Sequence, residues 1–189
     1  MPIHSTPVRS VLALAGALLG GAPTAGRLVA RTGHPIPYRV GLPEGAQIDQ
    51  AEGLLSARTQ RGVGVVVVAR DMLQREGSPL PGAGAESRRR MTDIVMGSDK
   101  VLFAVLEEEL RGRTLELSDV VRGTGTLGGQ RAACVQGRLD ERGAAAWIDI
   151  HGTVRDGVLY VLAFTVRGRN PAQCKPLLAR IRESFVLPR

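Results

Sequence analysis

The sequence predicts a mixed α+β fold: a central antiparallel sheet with a covering layer on each face. Three observations carry this. Residues 131–139, 144–154 and 158–166 read as three successive strands. The stretches between them, Asp140-Glu141-Arg142-Gly143 and Arg155-Asp156-Gly157, supply the acidic residues and glycines that reverse a chain between paired strands, so the pairing is expected to be antiparallel. The third run is apolar on both alternating faces, with Leu159, Val161 and Ala163 on one and Tyr160, Leu162 and Phe164 on the other. A strand buried on both faces needs a layer above and a layer below.

An amphipathic helix closes this unit. Asn170 is a capping acceptor, Pro171 suits the first turn, and Cys174, Leu178, Ile181 and Phe185 recur at helical spacing. Pro176 removes a backbone bond inside that pattern, so the regular helix is expected to begin only there.

Upstream, Tyr38 to Leu42 reads as a short strand ending in the turn Pro43-Glu44-Gly45. Residues 53–59 and 63–69 read as a hairpin about Gln60-Arg61-Gly62, the second run being nearly all valine and therefore sheet interior. Residues 77–85 form a Pro/Gly loop. Residues 86–96 follow as a helix with Met91, Ile94 and Val95 on its inner side, and residues 100–110 as a second, capped by Ser98 and stopped at Gly112. A strand over 101–106 is the competing reading of the second helix, and Glu107, Glu108 and Glu109 favour helix. Residues 114–121 are expected to be extended.

Residues 1–26 have the form of a secretory signal: Arg9 precedes an unbroken small-and-apolar run over 11–19, and residues 22–26 are small enough for cleavage. The apolar run is short of the roughly 20 residues that span a bilayer. The expected organisation is thus a signal peptide over 1–26, a linker over 27–37 and one domain over 38–189, in the periplasm or secreted, with no transmembrane helix after cleavage. An uncleaved membrane anchor is the other reading of the same segment.

Of the 25 basic and 18 acidic residues, only Arg9 lies in 1–26, so the mature chain carries a formal charge of +6. That favours anionic partners without specifying one. Aromatic residues are 3%, which leaves no stacking platform for single-stranded nucleic acid. Arg88, Arg89 and Arg90 are the one basic run. On a helix, consecutive residues point about 100° apart, so a solvated surface is the plain reading and contact with an anionic partner the functional one.

The chemical motifs are few. Gly123-Thr124-Gly125-Thr126-Leu127-Gly128 matches the dinucleotide pattern, but a strand rather than a helix follows, so a turn between strands is expected there and no nucleotide. No pair of His or Cys residues has metal-ligand spacing and no cofactor motif occurs. Asp149 and His151 share a strand face beside Trp147, the start of a general-base pair, yet no nucleophile is visibly tied to them. A satisfied sheet histidine is the alternative. Cys134 lies on the first strand of the closing unit and Cys174 in the helix expected to cover it. An oxidising compartment lets them form a disulfide if the geometry allows, and two buried thiols are the other outcome.

The early Tyr-Arg-Val-Gly-Leu-Pro strand, the middle helical region, the strand opened by Gly129-Gln130-Arg131-Ala132, and the helix ending Glu183-Ser184-Phe185 together resemble the PsbP-like superfamily, over residues 38–187. The resemblance implies an α/β/α sandwich and a binding or assembly role, with no family catalytic residue to carry over. The chain departs from it in its long Pro/Gly loop before Glu86 and in its low aromatic content. The expected function is an exported, non-enzymatic binding or accessory protein of the bacterial cell envelope, its partner an envelope protein or anionic surface. The alternative is a small periplasmic hydrolase using Asp149 and His151. Oligomeric state is open.

Overall fold

The computed structural model describes residues 27–59, 62–73, 84–111, 117–141, 144–168 and 170–188. The readings of residues 1–26 as a signal, of Gln60 and Arg61 as a hairpin tip, of most of the 77–85 loop, and of Gly112 as a helix stop fall outside these.

A seven-stranded, wholly antiparallel sheet forms the middle layer. Its strands are β3 (Gln47–Ala51), β4 (Leu54–Arg58), β5 (Val63–Asp71), β6 (Leu117–Leu127), β7 (Gln130–Glu141), β8 (Ala144–Arg155) and β9 (Val158–Arg167), in the order β3-β4-β5-β9-β8-β7-β6. On one face lie α1 (Ala85–Met96) and α2 (Asp99–Arg111). On the other lie α3 (Pro171–Glu183) and a separate two-stranded sheet, β1 (Leu28–Thr32) with β2 (Arg39–Pro43).

The expected two-sided strand is β9, and its side chains divide as the alternation requires. Tyr160, Leu162, Phe164 and Val166 join the core under α3, while Leu159 and Val161 join the core under α1 and α2. The valine-rich run is β5, held between β4 and β9. Two of the two-residue hairpin loops have both residues at positive φ. Asp156 and Gly157 both have positive φ, 50° and 72°, as do Gly128 and Gly129, and such turns match the twist of the strands they join.

Five local expectations need correction. Residues 28–32, inside the expected linker, are a strand, because Leu28 to Thr32 pairs with Arg39 to Pro43 along its full length. β3 was not anticipated: its Gln-Ile-Asp-Gln-Ala sequence has too few apolar residues to signal a strand, and it lies at the sheet's outer edge. Ile94 is 58% exposed, and Val95 alone of the expected α1 stripe is fully buried. Residues 123–127 are strand, the turn being confined to Gly128 and Gly129. α3 begins at Pro171, with Asn170 Oδ1 accepting the Ala172 N–H at 3.0 Å, and continues through Pro176. Pro176 and Ala172 are both exposed, so the carbonyl that Pro176 leaves without an intrahelical donor faces solvent.

The tail after α3 locks β2 to the domain. Arg39 and Val186 exchange backbone hydrogen bonds of 2.9 and 2.8 Å, and Ser184 Oγ accepts the Gly41 N–H at 2.7 Å while donating to the Ile181 carbonyl at 2.6 Å. Tyr38 stacks on Phe185 with ring centroids 5.7 Å apart.

Truncating Leu162, which is fully buried on the central strand, is expected to cost about 2–5 kcal/mol through lost transfer energy and the cavity left behind. Val121→Ala, at a site 63% exposed on β6, should change stability by less than about 0.5 kcal/mol. Urea unfolding of the two variants followed by circular dichroism measures both.

Candidate functional site

Alternate residues of β8, namely Trp147, Asp149 and His151, point to the α3 side of the sheet. α3 packs over β9 and against β2 and leaves the β7–β6 side of that face without a helix. The offset opens a cleft of about 190 Å³. Its floor is Gln136 of β7 with Trp147, Asp149 and His151 of β8 and Phe164 of β9, and its wall is Lys175, Leu178, Ala179 and Arg182, one face of α3. A space of this size is below that of a drug-sized ligand site, about 300–1,000 Å³, and fits a single head group or side chain.

Asp149 and His151, expected to share a face, do so, and both are buried, at 7% and 2% exposure. His151 Nε2 lies 3.2 Å from Asp149 Oδ1, near enough for charge attraction, but it is not aligned for a hydrogen bond. The Gln136 side-chain N–H donates to the same carboxylate oxygen at 3.2 Å. On the other side of the ring, His151 Nδ1 lies 3.0 Å from Cys134 Sγ. Burial works against the imidazolium, but Asp149 and then Cys134 outweigh it, and the His151 pKa is pushed up to about 9.

The Cys134 contact is the feature the sequence reading missed. Cys134 and His151 are directly opposed in the β7–β8 ladder, a register anchored at Glu141 against Ala144. The expected four-residue turn would have set Cys134 opposite Asp149 instead, and nothing in the sequence selects the observed register.

Cys134 and Cys174 are not bonded to one another. Cys174 is buried in α3, over β9, whereas Cys134 is two strands away on β7. At about 4.8 Å per strand this lateral offset is greater than a disulfide spans.

The arginine run divides as helix geometry requires. Arg88 bonds to the Asp71 carboxylate and reaches the Asp156 carbonyl at 3.4 Å, tying α1 to β5 and the β8–β9 turn, where Thr92 Oγ1 also accepts the Gly157 N–H at 2.9 Å. Arg90 lies 3.6 Å from Glu86 one turn earlier, and Arg89 is exposed.

No family model matches the chain, and no curated protein matches it. Among solved structures, a protein of Bacteroides thetaiotaomicron aligns with 88% of this chain at a TM-score of 0.51 and 10% identity; the chain spans half of that protein's length. The solution structure of cyanobacterial PsbP (CyanoP) from Synechocystis sp. PCC 6803 aligns over 91% of this chain and 98% of its own, with TM-score 0.51 and 15% identity. The chain has a PsbP-like fold. Near-complete mutual coverage makes the PsbP-like unit the whole described domain rather than a part of it. At 15% identity the likeness is one of backbone arrangement, and the cleft residues are read from this chain alone.

Two predictions follow from these contacts. Arg88→Ala should destabilise by about 1–3 kcal/mol, because it removes a charge-assisted bond at a part-buried site, while Arg89→Ala should stay within about 0.5 kcal/mol. Thermal and urea unfolding of the pair read the difference. The raised His151 pKa stabilises the fold fully below the unfolded value of about 6.5, and the contribution is lost as pH rises through about 9. Stability should therefore fall by about 1–3 kcal/mol across that window. Asp149→Asn should flatten the fall, since Lys175 and Arg182 across the cleft oppose rather than favour the imidazolium. A pH-independent urea midpoint in the wild type would contradict this.

Proposed function

We propose that this chain is an exported, non-enzymatic binding or accessory protein of the bacterial cell envelope, which holds an anionic group of its partner in the cleft between α3 and β7–β8. The observation that carries the reading is the cleft's composition. Lys175 and Arg182 stand on the helix wall, His151 with its raised pKa lies in the floor, and Trp147, Phe164 and Leu178 supply apolar contact. Three cationic groups face one carboxylate, that of Asp149, so the site favours a carboxylate or phosphate with an apolar attachment. The net charge of the chain, +7 over its full length, acts in the same direction at long range. Export rests on the form of residues 1–26. No helix among the described residues is long and apolar enough to cross a membrane.

The test is affinity capture from an envelope fraction at low and moderate salt, comparing the wild type with Lys175→Glu/Arg182→Glu. Loss of charge-assisted bonds worth about 1.5–3 kcal/mol each predicts at least a tenfold drop in recovered partner. Recovery of nothing, or of the same proteins by the charge-reversed variant, would overturn the reading. The intact mass of protein recovered from the periplasm is expected to lack about 26 residues, the length of a signal peptide.

A further inference from the structure

We infer that Cys134 is a nucleophilic thiol, with His151 as its acid–base partner, and that it forms mixed disulfides with small anionic disulfides. The inference goes beyond binding in the adjoining cleft: it shares His151 and Asp149 with that site but turns on Cys134, which does not line it. Cys134 Sγ is 3.0 Å from His151 Nδ1, within reach for proton sharing, and the ring is 2% exposed, backed by Asp149 at 3.2 Å and, through it, by Gln136. A nucleophile, a base and a third group behind the base is the arrangement that activates a thiol or hydroxyl. Nε2 faces the Asp149 carboxylate, which leaves Nδ1 directed at the thiol.

The sulfur is also approachable. Cys134 is partly exposed, whereas Cys174 is 1% exposed. Its neighbour across the β6–β7 ladder is Gly123, where an added Cβ would touch nothing, and at Gly125 an added Cβ would lie 3.1 Å from the Cys134 sulfur. The two glycines of the pattern that resembles a nucleotide loop leave edge strand β6 bare beside the thiol.

The chemistry follows from where the thiol sits. Cys134 is mid-strand, paired with β6 on one side and β8 on the other, so the backbone N–H groups around it belong to the ladders. Acyl transfer needs such donors free to hold an oxyanion, and the Gln136 amide is directed to Asp149. This weighs against the hydrolase reading. Exchange at sulfur needs no oxyanion. As the Cys134 sulfur attacks, the proton it shares with His151 passes to Nδ1 and is held there until the leaving thiolate departs. One S–S bond forms while that of the reagent breaks, and the leaving thiolate takes the proton. One thiol is consumed and one released, with no further oxidant. Lys175 and Arg182 line the adjoining cleft with His151, and their charge favours the approach of a reagent bearing carboxylates.

The test uses the full chain carrying Cys174→Ser, with oxidised glutathione as the probe, followed by intact mass and peptide mapping. One reductant-reversible adduct is expected, at Cys134, forming at least tenfold faster in the folded protein than in denaturant. His151→Gln should slow the folded rate at least tenfold. No adduct, a folded rate at or below the unfolded one, or an undiminished rate in a folded His151→Gln variant would overturn the inference. If that variant does not fold, the comparison of folded and unfolded rates decides. Uncharged 2-hydroxyethyl disulfide separates this from partner binding: in the wild type it should also modify Cys134 faster in the folded protein than in denaturant, whether or not an envelope partner is captured.

Discussion

The domain depends on β9. It is the strand on which both cores converge, with Tyr160, Leu162 and Phe164 beneath α3 and Leu159 and Val161 beneath α1 and α2. Fully burying one such side chain is worth about 1.5–3 kcal/mol, and β9 does this on both faces while pairing with β5 and β8. The three layers are therefore coupled through one strand, and neither helical layer can shift without uncovering part of it. The exchange of backbone bonds between Arg39 and Val186 extends that coupling to the β1–β2 sheet, which would otherwise be a two-stranded unit of marginal stability.

The same arrangement creates the cleft. One helix and a two-stranded sheet cannot roof seven strands, and α3 is committed to β9 and β2. The part of that face without a helix falls beside Cys134 and Gln136, with Asp149 and His151 buried in the cleft floor. On the opposite face two helices pack closely enough that a Cβ at Gly152 would lie 2.8 Å from Leu106. The cleft gathers Gln136, Asp149 and His151 at one margin of the α3-side core, while Ile148 and Ile150, the alternate residues of β8, join the core under α1 and α2. His151 and Asp149 are tolerated in the interior because each offsets the desolvation of its neighbour.

Much of this was legible in the sequence. The double-sided apolar run of β9, the valines of β5, the Asp156-Gly157 turn and the Asn170-Pro171 cap each carry a local signal strong enough to survive folding unchanged. β1 and β3 were not legible, since arginine, glycine and short polar runs look like linker until a partner strand pairs with them. Of the site, the shared face of Asp149 and His151 was readable from strand periodicity alone. The approach of Cys134 to His151 was not: a four-residue loop between β7 and β8 would set Cys134 opposite Asp149, and the sequence does not choose between loop lengths.

The sequence by itself thus determined the elements and the direction in which most side chains face, because those depend on neighbours two to four residues away. The tertiary structure alone decided the register of β7 on β8, the placement of α3 over β9 rather than β7, and the separation of Cys134 from Cys174. Each of these balances long-range packing against loop geometry. Through them a histidine, an aspartate and a cysteine spread over 18 residues become one cluster at the edge of a basic cleft.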